Sequence, residues 1–312
     1  FKFLLIGSDI DEKEDLLCEY ELTTNKNKIK NILNETSENI LVITTYHSSI
    51  ILKDVCREIE FSFDVGIYDE AHRTVGTIEK KFTAAEILAK DLDISREDQE
   101  DFSMKSHEKA LAAIKDGNFD NEIIPVEING TNIKIDEGPR NPDIEKIKSL
   151  EPAFDAEGSI TAATSSPISV GAAATIIMSK GKADELGITA KFKIRSRAVA
   201  GVDWTRMGSG PLPATEKALK KAGLTMDNIE TIELNEAFAA QSLYVIRKGN
   251  WDIDKINLNG GAIALGHPLG CSGARLLVTL MNVMDQKSTS LGLATMCIGS
   301  GQGIATVIEK VN

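Results

Sequence analysis

The last 120 or so residues alternate between segments typical of strands and segments typical of helices, and this alternation restricts the possible fold more than any other feature. Apolar, β-branched runs indicate strands, and apolar residues at a spacing of three or four indicate helices. Strands are predicted at 192–201, 228–234, 255–261, 291–299 and 303–311, and helices at 212–223, 235–249 and 272–285. Helices that alternate with strands predict a layered α/β fold whose last two strands adjoin.

The residues before this region follow other patterns. Residues 84–117 read as helices, with Thr83 as one cap, a capping box of Ser95 and Asp98, and Gly117 at the end. Residues 118–160 are polar and read as a loop region with turns. The small, apolar run 171–180 (GAAATIIMSK) predicts a tightly packed, buried segment.

Residues 1–83 show a different pattern of predicted elements. Strand-type runs at 1–7, 39–46 and 61–71, with a helix candidate at 25–35, predict a parallel sheet. The chain opens on Phe1 in an apolar run, so we expect its natural protein to begin earlier.

Composition excludes several classes of function. The net charge of −12 and the absence of a basic stripe disfavour nucleic-acid binding, and no apolar run is long enough to span a bilayer. The four cysteines and four histidines are scattered, which predicts neither a metal site nor a disulfide framework. A reduced, cytoplasmic location fits this cysteine usage best.

The motif YDEAHRTVG, at 68–76, places two acids after an apolar run. In such a site Asp69 would hold the magnesium ion of ATP and Glu70 would polarise the attacking water. Together with TTYHSS (44–49), this motif makes residues 1–83 resemble superfamily 2 helicases of the DEAH, restriction-enzyme type. The phosphate-binding loop G-x-x-x-x-G-K-[ST] is absent from the sequence, so we expect a motor fragment without ATP hydrolysis.

A second motif places a histidine in an irregular, glycine-rich segment. His267 lies between Gly266 and Pro268, just before the helix at 272–285. Glycine permits a close turn and proline fixes φ, so the imidazole would be held at one place, as a base or hydrogen-bond donor requires. Taken alone, a single histidine is more often a loop or core residue.

Two further candidates follow predicted strands. Cys297 precedes Gly299, Ser300 and Gly301, where open backbone N–H groups would stabilise a thiolate or an oxyanion, although a strand cysteine is usually inert packing. Asn235, followed by Glu236, stands where a strand gives way to a helix, and a helix N-cap is the simplest reading of that position. The strand ends would bring histidine, cysteine and amide to one sheet edge, which indicates acyl-thioester chemistry.

Several long motifs in order make residues 84–312 similar to the carboxyl-terminal part of the thiolase family, the acetyl-CoA C-acyltransferases. They are ISREDQEDFSMKSHEKA, GSGPLPATEKALKKAG, IELNEAFAAQ, NLNGGAIALGHPLGCSGARLL and CIGSGQG. The resemblance implies a Claisen condensation or thiolysis of acyl-CoA, with CoA as substrate and no cofactor. Intact members of the family form homo-oligomers.

The resemblance also implies a role for each site residue. His267 would activate a nucleophilic cysteine and help hold the thioester oxyanion, while Asn235 would position a water there. Cys297 would move a proton at the α-carbon of the acyl-CoA, and the N–H of Gly299 would serve a second oxyanion hole. Residues that would line the CoA channel are Ser166, Ala237 and Phe238.

These resemblances predict four segments: a helicase-like fragment at 1–83, a thiolase loop region at 84–170, a remnant of the thiolase amino-terminal domain at 171–190, and the thiolase carboxyl-terminal domain at 191–312. The family's acyl-accepting cysteine belongs to an amino-terminal half that the sequence lacks, and neither Cys18 nor Cys56 has a suitable setting. We therefore expect an incomplete thiolase, inactive alone. The alternatives are a nucleic-acid motor fragment and a CoA-binding module without catalysis.

Overall fold

The computed structural model describes two separate parts of the chain. The described residues are 2–6, 20–22, 25–35, 40–44, 58 and 84–311. The chain divides into two compact units, Phe1–Thr77 and Ile78–Asn312. This division lies close to residue 83, where the sequence pattern changes.

The first unit contains a parallel sheet. Strand β1 (Lys2–Ile6) lies between β2 (Tyr20–Leu22) and β3 (Ile40–Thr44), and both neighbours run parallel to it. Helix α1 (Lys26–Glu35) connects β2 to β3. The parallel sheet is confirmed for these strands, whereas β2 was not predicted. The predicted strand at 61–71, with Asp69 and Glu70, lies outside the described residues.

The second unit begins with two helices, α2 (Ala84–Asp91) and α3 (Arg96–Lys115). The predicted capping box is confirmed, because Ser95 accepts from the backbone of Asp98 and the Asp98 carboxylate accepts from the backbone of Ser95. Gly117 follows the end of α3 at φ +72°, a conformation that glycine adopts without strain.

Residues 118–190 contain only short elements. They are the antiparallel pair β4 (Val126–Ile128) and β5 (Thr131–Ile133), helix α4 (Ile144–Lys148), a 3-10 turn at Ala162–Thr164, and helix α5 (Lys180–Glu185). The prediction that 171–180 is a buried segment is wrong, since most of its residues are exposed and Ile176 is 88% exposed. An apolar run is buried only where another element covers it.

A four-stranded sheet organises the rest of the unit. Its order is β6 (Phe192–Gly201), β9 (Gln302–Lys310), β8 (Leu291–Ile298) and β7 (Thr231–Leu234). Strands β7 and β8 are parallel and the other neighbours are antiparallel. The adjoining final strands are thus confirmed.

The remaining helices are α6 (Pro211–Ala222), α7 (Ala239–Gly249), α8 (Ala262–Leu265) and α9 (Ser272–Lys287). Short 3-10 turns occur at Trp204–Ser209, Met226–Asn228 and Ile253–Lys255. The predicted helices at 212–223 and 272–285 are confirmed as α6 and α9. Helix α7 begins four residues later than the predicted 235–249.

The predicted strand at 255–261 is wrong. Ile256 makes a single bridge to Ile232, after which Asn257 adopts φ +47° and turns the chain away. The side chain of Asn257 then accepts from the backbone N–H of Leu234 at 2.9 Å and donates to its carbonyl at 2.8 Å. A side-chain amide therefore takes the place of strand pairing beside the end of β7.

Helices cover both faces of this sheet. Leu293 and Val307 pack with α6 and α7, while their neighbours Ala294 and Ile308 pack with α9. Successive residues of a strand point to opposite faces, which explains why adjacent residues join different cores. The layered α/β fold is confirmed for the carboxyl-terminal region.

Candidate functional site

Asn235 continues the sheet beyond the end of β7. Its backbone N–H donates to the carbonyl of Thr295 on β8 at 3.0 Å, and its side chain is fully buried. Phe238 is the N-cap of helix α7, so the N-cap interpretation of Asn235 is wrong. The burial of an amide at this position leaves it available for a specific hydrogen bond rather than for capping.

Backbone geometry holds His267 in place. Gly266 adopts φ +97°, and a Cβ atom there would overlap the Ser169 side chain, so a glycine is required. The backbone N–H of His267 donates to the carbonyl of Pro167 at 3.0 Å. The histidine is thereby tied to the segment that also contains Ser166.

Ser272 sets the hydrogen-bonding state of the imidazole. Its Oγ lies 2.6 Å from Nδ1 of His267 and donates its only proton to the carbonyl of Pro268 at 3.0 Å. With the Ser272 proton on the carbonyl of Pro268, Nδ1 is the donor to Ser272 and Nε2 of the neutral ring is the acceptor. We did not predict Ser272 from sequence, although its place at the start of the helix after His267 was a usable signal.

Nε2 of His267 faces the amide of Asn235. The distance between Nε2 and Nδ2 of Asn235 is 3.4 Å, which fits a weak hydrogen bond donated by the amide. Oδ1 of Asn235 is buried and has no hydrogen-bond partner among the described residues. The structure thus brings together the histidine and the amide that were predicted to share one site.

Cys297 lies on the strand that adjoins this pair. It stands two residues beyond Thr295 on β8, in register with Gly303. Complete burial raises the pKa of its thiol to about 11, which opposes the predicted stabilisation of a thiolate. The predicted Gly299 begins the turn that follows, in which Ser300 and Gly301 have positive φ values.

The three predicted CoA-channel residues form one contiguous group. The Oγ and backbone N–H of Ser166 donate to the carbonyl of Ala237 at 3.0 Å and 3.1 Å. Phe238 forms a bridge with Ser165 and packs edge-to-face on Phe154, with ring centroids 5.8 Å apart.

Two findings concern the described residues as a whole. Within them, no group of three or more histidine, cysteine, aspartate or glutamate side chains could hold a metal ion. No helix among them is both long and apolar enough to span a membrane.

Family models match most of the second unit. The thiolase C-terminal domain matches residues 188–310, and the thiolase N-terminal domain matches residues 68–181. Over these residues the chain belongs to the thiolase family. The similarity to thiolases therefore begins inside the segment 1–83 that was assigned to a helicase-like fragment, and the helicase resemblance has no support from these matches.

Individual thiolases show the same extent of similarity. The 3-ketoacyl-CoA thiolase of Psychrobacter cryohalolentis is 54% identical over 237 residues, and that of Acinetobacter baumannii is 56% identical over 236 residues. Each alignment covers 73% of this chain and 60% of the relative. The crystal structure of the Bacillus anthracis acetyl-CoA acetyltransferase superposes with a TM-score of 0.70 at 39% identity, covering 73% of this chain and 59% of that one. The chain thus spans about 60% of the length of these thiolases.

Proposed function

We propose that this chain carries the histidine side of a thiolase active site and acts on acyl-CoA thioesters, by Claisen condensation or by thiolysis. The contact between Asn235 and Nε2 of His267 supports the proposal most directly, because it joins a base to an amide donor at a strand end. The high identity to 3-ketoacyl-CoA thiolases supports the same substrate class.

In the proposed reaction His267 acts as a base. Its Nε2 lone pair takes the proton of an acyl-accepting cysteine thiol, and the thiolate then attacks the thioester carbonyl. The CoA thiolate leaves as the acyl–sulfur bond breaks and takes the proton back from the imidazolium. A water donating to Oδ1 of Asn235 would satisfy that buried atom and would stand beside the developing oxyanion. The N–H of Gly299 would stabilise the second oxyanion.

We assign Cys297 to the proton transfer at the α-carbon. A thiol whose pKa is raised to about 11 holds its proton at neutral pH, so it serves readily as the acid that returns a proton to the enolate. The reverse direction requires the thiolate, which burial disfavours, and substrate binding would have to offset that cost.

We further propose that the 312-residue chain turns over thioesters poorly by itself. The acyl-accepting cysteine needs a lowered pKa, whereas burial raises the pKa of both described thiols, Cys271 and Cys297. Cys18 and Cys56 lie outside the described residues. The cytoplasm remains the expected location.

Two assays on the full chain test these proposals. Loss of acetoacetyl-CoA in the presence of CoA measures thiolysis, and we expect none above background. Turnover abolished by His267→Ala would support the thiolase reaction and contradict the inactivity.

Calorimetric titration with CoA tests the binding part. We expect saturable binding that Phe238→Ala weakens about tenfold, as the loss of an interface aromatic often does. Phe192→Ala is the matched control, since this half-buried phenylalanine packs against the core beside α9. Binding without turnover would favour the CoA-binding module, and an absence of binding would contradict both.

A further inference from the structure

The carboxylate of Glu236 is a buried junction directly beside the site. It accepts hydrogen bonds from Oγ of Ser106 at 2.7 Å, from Nδ2 of Asn257 at 2.8 Å, and from the backbone N–H of Ile263 at 3.1 Å. The side chain is only 2% exposed. A buried carboxylate with three donors is a specific arrangement, since hydrogen bonds to a charged group are shorter and stronger than those between neutral groups.

These donors require a side chain at position 236 that accepts hydrogen bonds at both of its terminal atoms. The hydroxyl of Ser106 accepts from the backbone of Gly261 at 3.1 Å and directs its proton to Glu236. The amide of Asn257 cannot be reversed, because its two atoms already pair with the backbone N–H and carbonyl of Leu234. A glutamine in place of Glu236 would point an NH₂ group at one of these donors.

The three donors come from three different segments. Ser106 belongs to α3, and Ile263 belongs to the four-residue helix α8. Asn257 lies in the loop that follows Ile256, the residue that bridges to β7. The loop has no spare space at this point, since a Cβ atom on Gly261 would overlap the Glu236 carboxylate. Glu236 therefore joins α3 to the loop and to α8.

Both partners of the catalytic contact are adjacent to this junction. Asn235 is the residue before Glu236, and α8 leads directly through Gly266 to His267. The helix is closed by the N–H of Gly266 donating to the carbonyl of Ala262 at 2.9 Å. Without the hydrogen bonds of Glu236, the amide of Asn235 and the imidazole of His267 would no longer be held to a common point. Each could then shift separately.

We propose that Glu236 is a positioning residue that maintains the contact between Asn235 and Nε2 of His267, by holding α8 and the end of β7 to the same carboxylate. The proposal rests on the proposed function for its catalytic meaning. In this proposal the effect of Glu236 passes through the backbone on either side.

The test compares the imidazole nitrogen signals of the full chain by NMR at about pH 8, above the usual imidazole pKa. The signal of Nε2 is assigned from its loss in His267→Asn. Asn235→Ala gives the shift that corresponds to complete loss of the contact. We expect Glu236→Gln to produce more than half of that shift.

A second buried glutamate provides the matched control. Glu86 is also 2% exposed, and its carboxylate accepts from the backbone of Ser159 and Ile160 and from the hydroxyl of Ser159. Glu86→Gln should cost comparable stability and leave Nε2 of His267 unshifted. A purely structural role for Glu236 would make the two variants behave alike.

Ser106→Ala covers the case in which Glu236→Gln fails to fold. It removes one of the three donors, and we expect a smaller shift of Nε2 in the same direction. Signals of both folded variants that coincide with the wild-type signal, or an equal shift in Glu86→Gln, would overturn the proposal. Neither outcome depends on turnover, so failure of the proposed function is seen separately in the thiolysis and CoA assays.

Discussion

Strand β8 (Leu291–Ile298) and the segment 171–178 have nearly the same composition and opposite environments. The sequences LGLATMCI and GAAATIIM are both small and apolar. In β8, Leu293 is fully buried, whereas in the segment Ile176 and Ile177 are 88% and 68% exposed. Strand β8 pairs with β7 on one side and with β9 on the other, and helices cover both faces. The segment has no strand partner among the described residues.

The difference shows that an apolar run only permits burial. Burial requires a partner for the backbone hydrogen bonds and a second layer for the side chains, and both come from residues distant in sequence. Four variants or measurements test how far this contrast extends.

The largest effect is expected for Leu293→Ala in β8. Removal of a fully buried leucine side chain leaves a cavity, and the free energy of unfolding should fall by about 2–5 kcal/mol. Chemical denaturation of the full chain measures it. A loss below about 1 kcal/mol would mean that the core around β8 collapses onto the cavity or is loosely packed.

The next effect is the pH dependence of stability that Glu233 in β7 should cause. Its Oε2 lies 3.4 Å from Nη1 of Arg275. Burial raises the pKa of its carboxyl to about 8, against 4.5 for the unperturbed group. Between these values the folded state holds a proton that the unfolded state has lost, so stability should fall as pH rises through this window, by up to about 1.4 kcal/mol per pH unit.

Glu233→Gln should flatten that dependence, as followed by denaturation at several pH values. Glu216→Gln, at an exposed position on α6, is the control and should leave the slope unchanged. An unchanged slope in Glu233→Gln would show that Glu233 is ionised together with Arg275 throughout this window.

One cysteine lies in β8 and another lies beside the exposed segment, and their reactivities should differ. Cys297 is buried in β8, whereas Cys271 is partly exposed and lines an open hollow with residues 169–173, which include the start of the exposed segment. Burial raises the pKa of both thiols, that of Cys297 to about 11. Iodoacetamide should label Cys271 at least about tenfold faster, because the thiolate is the nucleophile and needs access. Peptide mass spectrometry gives both rates, and equal rates would mean that β8 opens readily.

The smallest effect is expected for Ile177→Ala. An exposed side chain away from other features contributes little, so the free energy of unfolding should change by less than about 0.5 kcal/mol. The same denaturation experiment measures it beside Leu293→Ala. A loss comparable to that of Leu293→Ala would show that the segment is covered in solution and that the contrast with β8 does not hold.

Local signals explain which elements could be predicted. Helix α6 was predicted from its apolar spacing and from Gly223, which closes it at φ +69°. The capping box of α3 lies within four consecutive residues. The strand predicted at 255–261 failed because Asn257 exchanges strand pairing for side-chain hydrogen bonds to Leu234, and that partner lies 23 residues away.

The site residues also divide into those that the sequence could select and those that only the folded structure reveals. The sequence motifs were sufficient to select His267, Asn235 and Cys297, and the roles of these residues stay predictions. Ser272 and Glu236 matter through hydrogen bonds that only the folded chain creates, the first to Nδ1 of His267 and the second to three separate segments. The raised pKa of the Cys297 thiol likewise follows from its burial in the sheet.

The sequence by itself determined the thiolase family, most of the helices and strands in the carboxyl-terminal region, and the residues worth examining, because caps, periodicity and motifs are local. Tertiary structure decided which apolar run is buried, which side chains the two nitrogens of His267 face, and which carboxyls have a raised pKa. Each of these depends on the desolvation and hydrogen bonding that distant residues provide when they come into contact.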